Sequence, residues 1–135
     1  MKPESSLKVF VYGTLKPGEA NYHYCDGYAH SKTLAYTRGV LYSLPAGYPA
    51  MIEGKNKIEG VLLTFNRSKI LESLDRLEGY QPQRDSSLNE YDRCLVSVYG
   101  LDDQLINNAW AYFMSSTKVK RYGGALVESN WWTGF

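Results

Sequence analysis

The sequence predicts an α+β fold, and three observations carry that prediction. Segments rich in Val, Ile, Tyr and Phe recur along the chain between Gly and Pro residues. One segment alone, residues 67–78, shows the period of an amphipathic helix. The order is therefore strands around a central helix, not the regular alternation of a doubly wound sheet. The 135 residues read as one domain, 1–135, long enough to bury about two-thirds of its unfolded surface.

The elements follow in order. Leu7–Tyr12 (LKVFVY) is a strand whose near-continuous apolar run predicts burial on both faces. Two glycines and Pro17 end it in the turn Gly13–Gly18. Residues 19–30 are mixed, a short helix or a loop. Thr33–Leu44 is one long strand or two short ones around Gly39. Ala46–Ile52 is a turn and a short extended piece, Gly54–Lys57 a turn, and Ile58–Phe65 a strand. The helix at 67–78 has Asn66 or Ser68 to cap its start and Gly79 to end it. Residues 81–90, with Pro82, form a loop. Tyr91–Tyr99 and Asn108–Met114 are strands, turned at Leu101–Asp103. Trp131 and Trp132 in the tail are assigned to packing on the body of the fold, ahead of closing a pocket or meeting a partner.

Composition excludes several function classes. A net charge of +1 does not suit phosphate-backbone binding, so nucleic acid is not an expected partner. No apolar run is long enough for a signal sequence or a membrane span, and a cytoplasmic location follows by default. Cys25 and Cys94 form no CxxC, so free thiols are expected. His23, Cys25 and His30 match no metal-ligand spacing, and no metal is expected. Twelve tyrosines suit strands and the walls of a cavity.

The helix is the most informative segment. At about 100° per residue from Ile70, Leu74 falls at about 40°, Leu71 at about 100° and Leu77 at about 340°. Glu78 falls at about 80°, inside this apolar stripe, and Asp75 at its margin, about 140°. Lys69, Glu72 and Arg76 lie opposite. A carboxylate on an apolar face is uncommon unless paired or functional. Burial and the negative end of the helix both disfavour its anion and raise its pKa toward that of a general base. Two readings stand open: a functional base, or a terminal Glu that swings into water. The turn Gly13–Gly18 has two as well: successive N–H groups that bind an anion, with Thr14 adding a hydroxyl, or an ordinary strand-ending turn.

Five segments occur in order: FVYGTLKPG, GYPA, IEGVLL, LDRLEGY and YDR. Together they resemble the γ-glutamylcyclotransferase-like superfamily, including its AIG2-like and butirosin-pathway members. They span Phe10 to about Val98, and YGTL with LDxxEGY is the specific combination. The resemblance implies a small mixed, mostly antiparallel β-barrel with a few helices. It implies a cofactor-free enzyme that releases 5-oxoproline from a γ-glutamyl amine, peptide or acylated intermediate. Glu78 would be the acid/base. Tyr12, Gly13, Thr14 and Leu15 would hold the α-amino acid end of the substrate, with Tyr91 and, as a looser match, Tyr112 lining the cavity.

One carboxylate suffices for such a reaction, because the nucleophile is the substrate's own α-amine. The alternative is a non-catalytic small-molecule-binding domain with the same pocket. The C-terminal GGALVESNWWTGF matches family expectation only loosely and leaves the leaving group open, as are the oligomeric state and the pathway. The catalytic reading requires Glu78 to face a cavity floored by Gly13–Leu15. A Glu78 that points to bulk solvent would refute it.

Overall fold

A computed structural model of the protein describes residues 7–134. Five strands close into a mixed barrel: β1 (Leu7–Val11), β2 (Ala29–Ser43), β3 (Pro49–Phe65), β4 (Asp92–Gly100) and β5 (Leu105–Phe113). The order is β3-β1-β5-β4-β2, and β2 pairs back onto β3 to complete the ring. All pairings are antiparallel except β1 with β5. Helix α1 (Lys69–Leu77) follows β3, helix α2 (Ser116–Arg121) follows β5, and a two-residue strand, β6 (Ala125–Leu126), adds to the end of β2. Among the described residues, no helix is long and apolar enough to cross a membrane.

Alternation along β1 divides the core. Phe10 and Tyr12 join Ala35, Leu41, Met51, Ile58, Leu62, Val98, Ala109, Ala111 and Phe113 in a cluster that draws on all five strands and fills the barrel. Leu7, Val9 and Val11 face the other way, toward Leu63, Phe65, Ile70 and Leu74. The apolar stripe of α1 therefore packs on the outside of the barrel, over β1 and β3. The burial of both faces of β1, expected from its apolar run, is what seats the helix.

Two expectations need correction. Gly54–Lys57 is not a turn between strands, because β3 runs unbroken from Pro49 to Phe65. Gly39 pairs with Asn56 and Val40 with Ile52, so β3 carries Glu53, Gly54 and Lys55 as extra residues opposite a continuous β2. The glycine marks a bulge that bends the strand, not a reversal. Nor does a side chain cap α1. Ser68 occupies the N-cap position but makes no side-chain cap hydrogen bond. Its φ of −67° and ψ of −20° are helical, whereas a capping hydroxyl needs an extended backbone there. The helix also starts two residues later than its period suggests.

The other end of α1 forms as the sequence predicts. Gly79 takes a left-handed φ of 67°. Tyr80 N–H donates to Asp75 C=O at 2.9 Å and Gly79 N–H to Arg76 C=O at 3.3 Å, the paired bonds of a Schellman cap. A Cβ on Gly79 would sit 2.9 Å from Glu90 Cβ. Gly79→Ala should therefore destabilise the protein by roughly 1–3 kcal/mol through strain and crowding combined. Urea denaturation measures the loss, and an unchanged midpoint would show that the cap does not fix the helix end.

Candidate active site

The Schellman cap places Glu78 as the C-cap residue, its N–H donating to Leu74 C=O at 2.9 Å. The chain then folds back so that Glu90 N–H donates to Gly79 C=O at 3.0 Å and Tyr91 N–H to Glu78 C=O at 3.2 Å. Buried Asn89 holds this return, accepting from Gln81 N–H and donating to Asp92, both at 3.0 Å. These bonds bring two carboxylates, Glu78 and Glu90, to one wall of a cleft of about 420 Å³. That volume suits a small metabolite.

The turn after β1 lines the same cleft. Gly13 packs against Pro49 so closely that a Cβ would lie 2.5 Å from its Cγ. Lys16 N–H closes the turn onto Gly13 C=O at 3.0 Å. Asn21 braces it, donating from its backbone to Thr14 C=O at 2.8 Å and from Nδ2 to Thr14 Oγ1 at 3.0 Å. Thr14 Oγ1 is thus an acceptor within the protein and keeps its hydroxyl proton for another group. Among the described residues, the N–H groups of Gly13, Thr14 and Leu15 have no acceptor, so the turn presents a row of donors.

Tyr12, Gly13, Thr14, Leu15, Glu78, Tyr91 and Tyr112 all line this one cleft. The structure therefore gathers these seven residues, singled out from the sequence, in the lining of one cleft. The tyrosines serve as walls. Tyr12 Oη donates to Tyr112 C=O at 2.6 Å and accepts from Met51 N–H at 3.1 Å. Tyr91 Oη donates to Pro49 C=O at 2.6 Å, and Tyr112 Oη to Asp75 at 2.7 Å. Burial holds all three hydroxyls well above the ordinary phenol range. Each stays protonated near neutrality and already donates its proton to a partner within the protein.

Glu78 is different. Burial first, and the charge of Glu90 second, raise its carboxyl to about 7 from an ordinary 4.5. Among the described residues, no Lys, Arg or His lines the cleft to reverse that rise. Sequence reasoning missed Glu90, which lies in a polar stretch read only as a loop. It also missed Tyr48, which lines the cleft, and Asp75 as the acceptor for Tyr112. Asp75 is in turn 3.1 Å from Arg93 Nε, whose guanidinium stacks on Trp110 and Tyr80. Neither cysteine lines the cleft, and Cys25 is buried with its thiol pushed up to about 12. Among the described residues, no three His, Cys, Asp or Glu side chains converge as metal ligands would.

A model of the family described as gamma-glutamyl cyclotransferase, AIG2-like, matches residues 9–134. The chain belongs to that family. Similar solved structures include YkqA from Bacillus subtilis, 25% identical with a TM-score of 0.67, which covers 95% of this chain and 40% of its own. The chain thus spans 40% of that relative's length. A protein from Arabidopsis thaliana is also 25% identical, with a TM-score of 0.63 over 81% of this chain and 68% of its own. An AIG2-like protein from Mus musculus gives 0.68 at 19% identity, over 88% and 83% of the two chains, which is a likeness of fold. No curated protein matches the sequence significantly.

The raised pKa of Glu78 has a thermodynamic consequence with a definite sign. The folded state holds the Glu78 proton more tightly than the unfolded chain does. The stability linked to that proton is complete below about 4.5 and is lost as pH rises through about 7. Glu78→Gln has no such loss. At pH 8 it should be more stable than wild type by roughly 2 kcal/mol relative to its effect at pH 4.5, allowing for partial exposure to the cleft. Thermal unfolding of both proteins across this range measures it, and a constant difference would place Glu78 in water.

Proposed function

We propose that the protein is a γ-glutamyl cyclotransferase in which Glu78 acts as the acid and base for release of 5-oxoproline. What supports this reading is a carboxyl that burial raises to about 7, lining one cleft together with the open N–H groups of Gly13, Thr14 and Leu15. The turn holds the substrate's α-carboxylate with those N–H groups and the Thr14 hydroxyl. The α-ammonium then lies toward Glu78 and Glu90, two acidic groups with no basic side chain beside them in the lining among the described residues.

Ring closure joins the α-nitrogen to the γ-carbonyl carbon and breaks that carbon's bond to the leaving nitrogen. The α-nitrogen starts as an ammonium with three protons and ends in the lactam with one. The leaving nitrogen starts as an amide with one proton and departs as an ammonium with three. Glu78 carries two protons from one nitrogen to the other in succession. A group with a pKa near the working pH serves both halves of such a transfer. The walls formed by Tyr12, Tyr91 and Tyr112 hold the γ-glutamyl chain folded, and that proximity lowers the barrier further.

The test is a product assay over γ-glutamyl amines and γ-glutamyl dipeptides, read as 5-oxoproline. Wild type should turn over at least one member. Glu78→Gln should lose at least about 100-fold in kcat, the usual contribution of a general base. Activity that survives Glu78→Gln would contradict the mechanism, and silence across the panel would leave a binding domain.

A further inference from the structure

Lys16 is the one charged side chain among the described residues that is fully buried, at 1% exposure. No carboxylate lies within ion-pair distance of it among those residues. Its ammonium instead donates to the carbonyl of Trp132 and sits over the ring of Trp131, 3.5 Å from the centroid. Burying an ammonium is costly unless it finds partners, and here the C-terminal segment supplies a carbonyl for one proton and a ring face for the charge. Lys16 does not line the cleft. Its effect on a bound ligand must pass through the turn to which it belongs.

The segment that receives Lys16 is itself fixed. Val127 N–H donates to Leu41 C=O at 2.9 Å, and Asn130 C=O accepts from Glu59 N–H at 3.0 Å. Trp132 is buried in the cluster that holds Phe10 and Tyr12, the residues leading into the turn. Past Trp132, Gly134 N–H donates to Glu19 Oε1 at 3.1 Å. Residues 131–134 thus meet this region twice, at Lys16 within the turn and at Glu19 just after it. The turn's other hydrogen bonds are local ones to Asn21 and within itself.

We propose that Lys16 is a positioning residue, a clamp that pins the C-terminal segment to the turn and so holds the N–H groups of Gly13, Thr14 and Leu15 in register with Glu78. The proposal rests on the assignment of that turn to substrate binding, and it gives the loosely matching C-terminal sequence a task. Glu19 is the charged group beside Lys16, and it partly offsets the burial that lowers the ammonium to about 8. The clamp therefore weakens as pH rises past about 8, when the amine loses its charge and its hold on the Trp131 ring.

The experiment compares wild type, Lys16→Met and Lys16→Arg by two readouts. The first is the 15N order parameters of Gly13, Thr14 and Leu15. The second is KM and kcat for a γ-glutamyl alkylamide. In Lys16→Met the order parameters should fall from about 0.85 to below about 0.6. KM should rise about tenfold, the equivalent of one charge-assisted hydrogen bond, with kcat within about twofold. Lys16→Arg should restore both and remove the wild type's loss of order above pH 8. If Lys16→Met does not fold, Trp131→Leu gives the same readouts, since it removes only a half-exposed ring. Order parameters that stay at the wild-type value would overturn the clamp. A turn that loosens while KM stays put would overturn its assignment to the substrate. If wild type lacks turnover, the order parameters decide the clamp alone, and the failure belongs to the proposed activity.

Discussion

A half-buried carboxylate, with no cation beside it among the described residues, is the constraint on which this structure turns. Glu78 lines a cleft walled by tyrosines and aliphatic side chains, with a second carboxylate beside it and no basic residue in the lining among the described residues. Such a group resists ionisation, and the cost is borne by the fold. The fold can bear it because Glu78 has little freedom to leave. Its backbone is the C-cap of α1, and its carbonyl is bonded to Tyr91 N–H. Gly79 then takes the left-handed turn that sends the chain back along the cleft.

The barrel's contribution is to bring distant segments to one place. The turn after β1 and the end of α1 are more than sixty residues apart in sequence. Antiparallel pairing of β1 with β3, and the packing of α1 back over both, bring them into the lining of one cleft. The tyrosine hydroxyls tie the remaining pieces: Tyr12 joins β5 to β3 through Tyr112 C=O and Met51 N–H, and Tyr91 reaches Pro49 at the start of β3. Each phenol thereby gives up its own proton to structure. The division of labour is clear, with tyrosines shaping the cavity and Glu78 keeping the titratable proton.

Much of this was legible in the sequence where a local rule applied. The apolar stripe of α1 placed Glu78 inward, and Gly79 marked the helix end by its backbone freedom. The strand and glycine turn at Leu7–Gly18 were visible for the same reason. What stayed hidden depends on partners far along the chain. Gly54 signals an interruption equally well as a turn or as a bulge, and only the register with Gly39 and Val40 decides between them. Glu90 looks like any polar loop residue until its N–H pairs with Gly79 C=O. Lys16 looks like a solvated lysine until Trp131 and Trp132 cover it. Helix α2 and strand β6 are too short, at six and two residues, to show a period.

The proposed chemistry depends on the proton affinity of one side chain, Glu78, and carboxyl-detected 13C NMR reads it directly. Titration of labelled glutamates, with Glu78 assigned by its loss in Glu78→Gln, should give a midpoint near 7. The midpoint should move down in Glu90→Gln and remain above the ordinary value, because burial is the larger cause of the shift. A Glu78 midpoint near 4.5 would contradict the central claim, since an ordinary surface carboxylate could not carry protons between two nitrogens at neutral pH.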